Sequence, residues 1–106
     1  MKVYHLTSAE GGDSIEASGF RDSTGTFMTS SEHKGVWVSD QPLVLLCGFD
    51  DPVCFEIEVP EETLAAHEWI EEGKGYREFL VLAAVLNQLP RRRLSEDELD
   101  ALPWGR

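Results

Sequence analysis

Gly75-Tyr76-Arg77-Glu78-Phe79-Leu80-Val81 is the stretch on which the reading of this chain turns. It follows the turn-like Glu72-Gly73-Lys74, and its aromatic and β-branched content predicts a strand. Successive side chains on a strand point to opposite faces. Tyr76, Glu78 and Leu80 therefore share one face, and Arg77, Phe79 and Val81 the other. A carboxylate between an aromatic ring and a leucine suits an acid at the edge of a cleft. The plainer alternative pairs Glu78 with a basic group on a solvated sheet face, and the stretch by itself leaves both open.

Working outward, Glu68-Trp69-Ile70 is the expected first arm of a hairpin whose second arm is residues 76–81. Residues 53–59 give the clearest strand pattern, with Val53, Phe55, Ile57 and Val59 alternating against Cys54, Glu56 and Glu58. Pro60 ends it, and a short helix is expected over 61–67. Residues 2–6 read as a first strand carrying Val3, His5 and Thr7 on one side and Tyr4 and Leu6 on the other. Asp13 and Glu16 have capping-box spacing, which predicts a helix start there. Gly19 supplies a left-handed stop, with Phe20 packing back on the helix.

Residues 21–25 read as an exposed loop, and residues 26–30 and 36–39 as short strands joined by the polar run 31–35. Asp40-Gln41-Pro42 resembles a helix entry for residues 43–47. Residues 82–89 stay ambiguous between helix and extended chain, and residues 90–93 read as a solvated strand or loop. Ser95 and Glu98 form a second capping box, opening a helix that Pro103 ends. The expected fold class is α+β, with short helices set between short strands.

A chain of 106 residues is expected to form one domain, residues 1–106, with a single core. Its 42% apolar content is that of an ordinary globular protein. No apolar run is long enough to span a bilayer and no signal-peptide order opens the chain, so a cytoplasmic protein without membrane association is expected. Cys47 and Cys54 lie in apolar surroundings and read as buried free thiols, and no metal-ligand spacing accompanies them. The net charge of −11 argues against strong nonspecific nucleic-acid binding, which needs clustered Lys and Arg. The same acidity leaves open an acidic mimic of nucleic acid that blocks a DNA-binding partner.

Four pieces, in order, resemble the ADP-ribosyltransferase family, the NAD-splitting fold of toxins and poly-ADP-ribose polymerases. Tyr4-His5-Leu6-Thr7 is similar to the family's first strand with its H-x-T signature. Ile15 followed by Gly19-Phe20 resembles the close of its first helix, and residues 35–43 the strand and helix entry that come next. Arg77-Glu78-Phe79-Leu80-Val81 resembles the late strand bearing the catalytic glutamate. The resemblance spans roughly residues 3–87 and implies a split β-sandwich of short strands with small connecting helices.

It also implies a chemistry, namely an NAD-dependent ADP-ribosyltransferase or NAD glycohydrolase with NAD as co-substrate. Breaking the nicotinamide–ribose bond develops positive charge on the sugar, and a carboxylate in the place of Glu78 stabilises it. By the same resemblance His5 would hold a ribose hydroxyl, the backbone near Leu6 would grip the nicotinamide amide, and Thr7 would assist. A half-buried histidine satisfied by backbone is the plain alternative for His5. The tyrosine of the family's His–Tyr–Glu branch has no counterpart; Phe27, Trp37 and Ser39 stand in its region. Trp37 offers a stacking surface, and Ser39 or Thr29-Ser30 resembles the serine of the Arg–Ser–Glu branch. The acceptor (protein, nucleic acid or water) is left open, with residues 21–25 and 71–75 as candidate docking loops. A tRNA 2′-phosphotransferase, of related fold, and a non-catalytic interaction module remain as alternatives.

Overall fold

The computed structural model describes residues 1–26, 31–42, 48, 51–70, 73 and 75–102. The elements in chain order are β1 (Lys2–Thr7), α1 (Ala9–Ser18), β2 (Ser23–Gly25), β3 (His33–Ser39), β4 (Val53–Glu58) and α2 (Glu61–Ala65), then β5 (Glu68–Trp69), β6 (Glu78–Val81), α3 (Ala83–Leu86), β7 (Arg91–Arg93) and α4 (Glu96–Ala101). The fold is mixed α+β: a seven-stranded antiparallel sheet in the order β5-β6-β3-β1-β4-β7, with β2 added beside β3. Among the described residues no helix is long and apolar enough to cross a membrane.

Alternation along the strands builds two apolar layers. Val3, Val38, Phe55, Ile57, Phe79 and Val81 share one face and form the main core, which Ile15 of α1, Leu64 of α2 and Leu86 of α3 cover. The opposite face is covered over β1 and β4 by α4, whose Leu99 joins Leu94 and Cys54, with Tyr4 and Leu6 packed alongside. The face of β4 expected to be wetter is therefore only partly so. Cys54 is fully buried, its sulfur outside any disulfide among the described residues, whereas Glu58 is exposed. Cys47 lies outside the described residues.

Several elements begin elsewhere than their local signals suggest. Helix α1 starts four residues before Asp13, because Ser8 takes the cap and its hydroxyl accepts from the Gly11 N–H at 3.1 Å. Asp13 and Glu16 instead face Arg93, at 3.2 and 2.8 Å. The segment read as a loop over 21–25 contains β2, which pairs with the His33–Gly35 end of β3. Asp40, expected at a helix entry, is tied to the segment before β6. Its carboxylate accepts from the Arg77 N–H at 2.9 Å, while its own N–H donates to the Arg77 carbonyl at 3.0 Å. The helix expected over 43–47 and the strand residues 27–30 lie outside the described residues.

Other signals are realised. The expected hairpin forms with shorter arms, residues 68–69 and 78–81 rather than 68–70 and 76–81, and Trp69 stands opposite Glu78. Gly19 adopts φ 85° and its N–H donates to Ile15 O at 2.7 Å, ending α1 as a glycine stop should. Ser95 and Glu98 close a full capping box at the start of α4.

The sheet is laced unevenly on the two sides of β1. This strand pairs with β4 along six residues, from Lys2 opposite Glu58 to Thr7 opposite Val53. On its other side it meets β3 at a single pair, Tyr4 opposite Ser39. Beyond that bridge β1 and β3 part, so the sheet is two ribbons joined at one point: β5-β6-β3-β2 and β1-β4-β7.

Candidate functional site

Where the ribbons part, a cavity of about 640 Å³ opens. Its walls carry residues of both alternations, Tyr4 and Leu6 with His5 and Thr7, and Trp37 and Ser39 with Val36 and Val38. A cavity bordered by both faces of a sheet must lie where strands are not laced together, which is the gap between β1 and β3. The size suits a small-molecule ligand.

His5 sits in this gap. Its Nδ1 lies 2.8 Å from the Trp37 carbonyl, so a side chain spans the space that strand hydrogen bonds would otherwise fill. A carbonyl can only accept, so Nδ1 carries the proton and Nε2 is left for any ligand contact. The ring also meets Phe20 edge-on, with centroids 5.5 Å apart. Burial lowers the imidazole pKa, and the bond to the Trp37 carbonyl opposes that shift only in part. The neutral ring therefore presents Nε2 as a hydrogen-bond acceptor. The plain expectation for His5, a strand histidine satisfied by backbone, holds for one of its two nitrogens.

Glu78 opens β6, opposite Ser39 of β3, and lines the same cavity. Tyr4, Ser39 and Glu78 thus form one row across three strands, and antiparallel partners share a face. The position of Glu78 is set from both flanks. On one side Asp40 and Arg77 exchange their two hydrogen bonds. On the other, Trp69 faces Glu78 from β5. Arg77, its neighbour in sequence, turns away: its guanidinium grips Glu68 through two bonds of 3.1 and 2.8 Å and lies over the Phe79 ring. That pairing lowers the Glu68 carboxyl pKa, through the hydrogen bond to Arg77 first. The cation next to Glu78 is thereby committed elsewhere.

The remaining residues singled out by sequence reach the same place. Leu6, Thr7, Trp37 and Ser39 all line the cavity beside His5 and Glu78. Thr7 stands against α1; a Cβ on Gly11 would lie 2.1 Å from its Oγ1, so the helix can approach only because residue 11 is glycine. Ser39 is buried and its hydroxyl donates to the Gln41 carbonyl at 2.5 Å, leaving its oxygen as an acceptor for a ligand. The Trp37 ring packs edge-on against Trp69, 5.3 Å between centroids, and Trp69 against His33. Phe27, Thr29 and Ser30 lie outside the described residues.

The sequence did not mark Tyr4 or Phe20 as site residues, and it placed Arg21 and Ser23 only in a candidate acceptor-docking loop, yet each lines the cavity. Phe20 carried a signal, since the glycine before it fixes its direction. Reciprocal bonds to Asn87 then hold its backbone: the Phe20 N–H donates to Oδ1 at 2.8 Å and Nδ2 donates to the Phe20 carbonyl at 3.1 Å. Tyr4 has its phenol pKa raised by burial and by the nearby Glu56 carboxylate, so its hydroxyl stays a donor. The Arg91-Arg92-Arg93 run does not line the cavity, although the Arg91 guanidinium lies over the ring of the lining residue Phe20, 5.6 Å from its centroid. Arg91 donates to Ile15 O, Arg92 pairs with Glu56 and Glu98, and Arg93 with Asp13 and Glu16.

No family model, no curated protein and no solved structure matches this chain.

Proposed function

We propose that this chain is an NAD-cleaving enzyme of the ADP-ribosyltransferase type, its split sheet being that fold's divided β-sandwich. What supports the reading is one coincidence. Six residues drawn from distant parts of the sequence (His5, Leu6, Thr7, Trp37, Ser39 and Glu78) line a single cavity at the division of the sheet. Nothing in local secondary structure requires a residue of the first strand and one of the sixth to share a pocket.

The chemistry follows from the groups present. The bond from the nicotinamide nitrogen to C1′ of ribose breaks with its electron pair leaving on nicotinamide. Positive charge develops on C1′ and the ring oxygen. Glu78, held in place by the Asp40–Arg77 clasp on one side, supplies the carboxylate that stabilises this charge as it forms. Neutral His5 accepts through Nε2 from a ribose hydroxyl, and the aromatic rings of Trp37 or Tyr76, both at the cavity wall, offer a surface for nicotinamide. Water or an acceptor nucleophile then adds to C1′ and loses a proton. With water the products are ADP-ribose, nicotinamide and one proton.

The alternatives draw less support. A 2′-phosphotransferase needs several cations around a phosphate. Among the described Arg and Lys residues only Arg21 lines the cavity. A nucleic-acid mimic needs its carboxylates on one side. Here Glu61 and Glu62 sit on α2 over one face of the sheet, and Glu96, Asp97 and Glu98 on α4 over the other.

The test is Glu78→Gln, which keeps size and removes charge. Nicotinamide release from NAD, followed by chromatography, should fall about 10²–10³-fold while the melting temperature stays within a few degrees. Wild-type protein that neither binds nor cleaves NAD at millimolar concentration would overturn the proposal.

A further inference from the structure

The cavity is polarised along β3. At one end of this strand Ser39 stands opposite Glu78. Four residues earlier Gly35 stands opposite Ser23, and the Ser23 hydroxyl donates to the Gly35 carbonyl at 3.1 Å. At strand rise the two ends are separated by about 13 Å. Ser23 and Arg21 both line the cavity. Arg21 is exposed and makes no ion pair among the described residues, whereas Arg77, Arg92 and Arg93 are each paired with carboxylates. In a chain of net charge −11, such a guanidinium at a cavity wall is the local exception to the surrounding potential.

A nicotinamide dinucleotide has a matching polarity. The ring whose bond breaks carries positive charge, and the pyrophosphate lies one ribose away with two negative charges. We infer that Arg21 binds the pyrophosphate of the substrate, with Ser23 beside it, and so selects phosphate-bearing nicotinamide compounds over the bare riboside. This rests on the NAD-cleaving reading for the identity of the ligand. Its geometric basis, a cation from the segment leading into β2 and a carboxylate from β6 lining one cavity beside different stretches of β3, is independent of whether the bond is cleaved. Arg21 is then a specificity-determining residue, outside the chemical step.

Calorimetric titration with ADP-ribose and with nicotinamide riboside separates the claims. Arg21→Gln should weaken ADP-ribose binding about tenfold or more, the usual loss for a hydrogen bond to a charged group. Nicotinamide riboside, which has no phosphate, should bind wild type and Arg21→Gln alike. Raising salt should weaken ADP-ribose binding in wild type and much less in the variant. Equal ADP-ribose affinity in the two proteins overturns the inference, as does wild-type protein that does not bind ADP-ribose at all. Arg21-dependent ADP-ribose binding in a protein that leaves NAD intact would uphold the phosphate site and defeat the cleavage reading. Arg21→Lys, which keeps the charge and loses the fork of donors, should restore part of the affinity.

Discussion

His5 is the residue at which fold and proposed chemistry are hardest to separate. Its Nδ1–H closes the space between β1 and β3 by reaching the Trp37 carbonyl, and its ring packs on Phe20. Because burial lowers its pKa, the folded protein binds a proton at His5 less readily than the unfolded chain, whose imidazole titrates near 6.5. The stability this contributes is fully present above about pH 6.5 and is lost as pH falls from there toward the folded pKa. Denaturant unfolding at pH 7.5 and 5.5 should therefore give lower stability at the acid value. In His5→Asn, whose Nδ2 can occupy the place of Nδ1 without titrating, that difference should shrink. A variant with an unchanged pH dependence would mean that carboxylates alone produce it. Glu78 by contrast was legible as a residue and as a position, since a strand pattern with an acid between Tyr76 and Leu80 puts it on a definite face. What the pattern did not contain was the clasp that holds it. Asp40 has the composition of a helix cap, and only the meeting of β3 with the segment before β6 turns its carboxylate toward the Arg77 N–H.

At the scale of elements, the stop after α1 does the positioning. Gly19 has φ 85° and ψ 179°, a region open in practice to glycine alone. It is also pressed against Asn87, for a Cβ there would lie 2.8 Å from Oδ1. The chain thus turns sharply enough for the Phe20 backbone to clasp Asn87 and for the Phe20 ring to support His5. Gly19→Ala should destabilise the protein by about 1–3 kcal/mol through backbone strain, with the collision adding to it. Asn87→Ala should cost about 1–3 kcal/mol by stranding the Phe20 N–H. The two should be less than additive, because the second removes the collision but leaves the strain. Additive losses in denaturant titrations would place the whole effect of Gly19→Ala in the backbone. The glycine stop, the hairpin β5–β6 and the capping box of α4 were all readable because each is satisfied within a few residues. The start of α1 was not: Asp13 offers a valid capping pattern, but Ser8 begins the helix a turn earlier, where Gly11 and Gly12 let it approach β1 and β4. Strand β2 escaped for the opposite reason. Ser23-Thr24-Gly25 has no apolar member, and its pairing with β3 supplies what its composition lacks.

The whole molecule carries twenty acidic side chains against nine basic ones, and the size of the protein decides what that does. Its principal extents are 38, 33 and 25 Å. At about 10 mM salt the screening length is roughly 30 Å, so every charge acts on nearly every other and the net sum is repulsive. At about 200 mM it falls below 10 Å, and only close partners still interact. The ion pairs sit within that shorter range, Arg77 to Glu68 at 2.8 Å and Arg93 to Glu16 at 2.8 Å, but both are on the surface, where such pairs contribute about 1 kcal/mol or less. Added salt therefore removes the long-range repulsion before it weakens the short attractions. The melting temperature should rise between about 10 and 200 mM sodium chloride, by roughly 4–8 °C if the relieved repulsion is near 1 kcal/mol, and then level off. Thermal unfolding across that series checks it. A melting temperature that falls over the same interval would mean that the arginine–carboxylate pairs linking β7 to α1, β4 and α4 outweigh the excess negative charge. In that case those pairs, formed from the one basic run in the sequence, would be the principal electrostatic support of the edge ribbon.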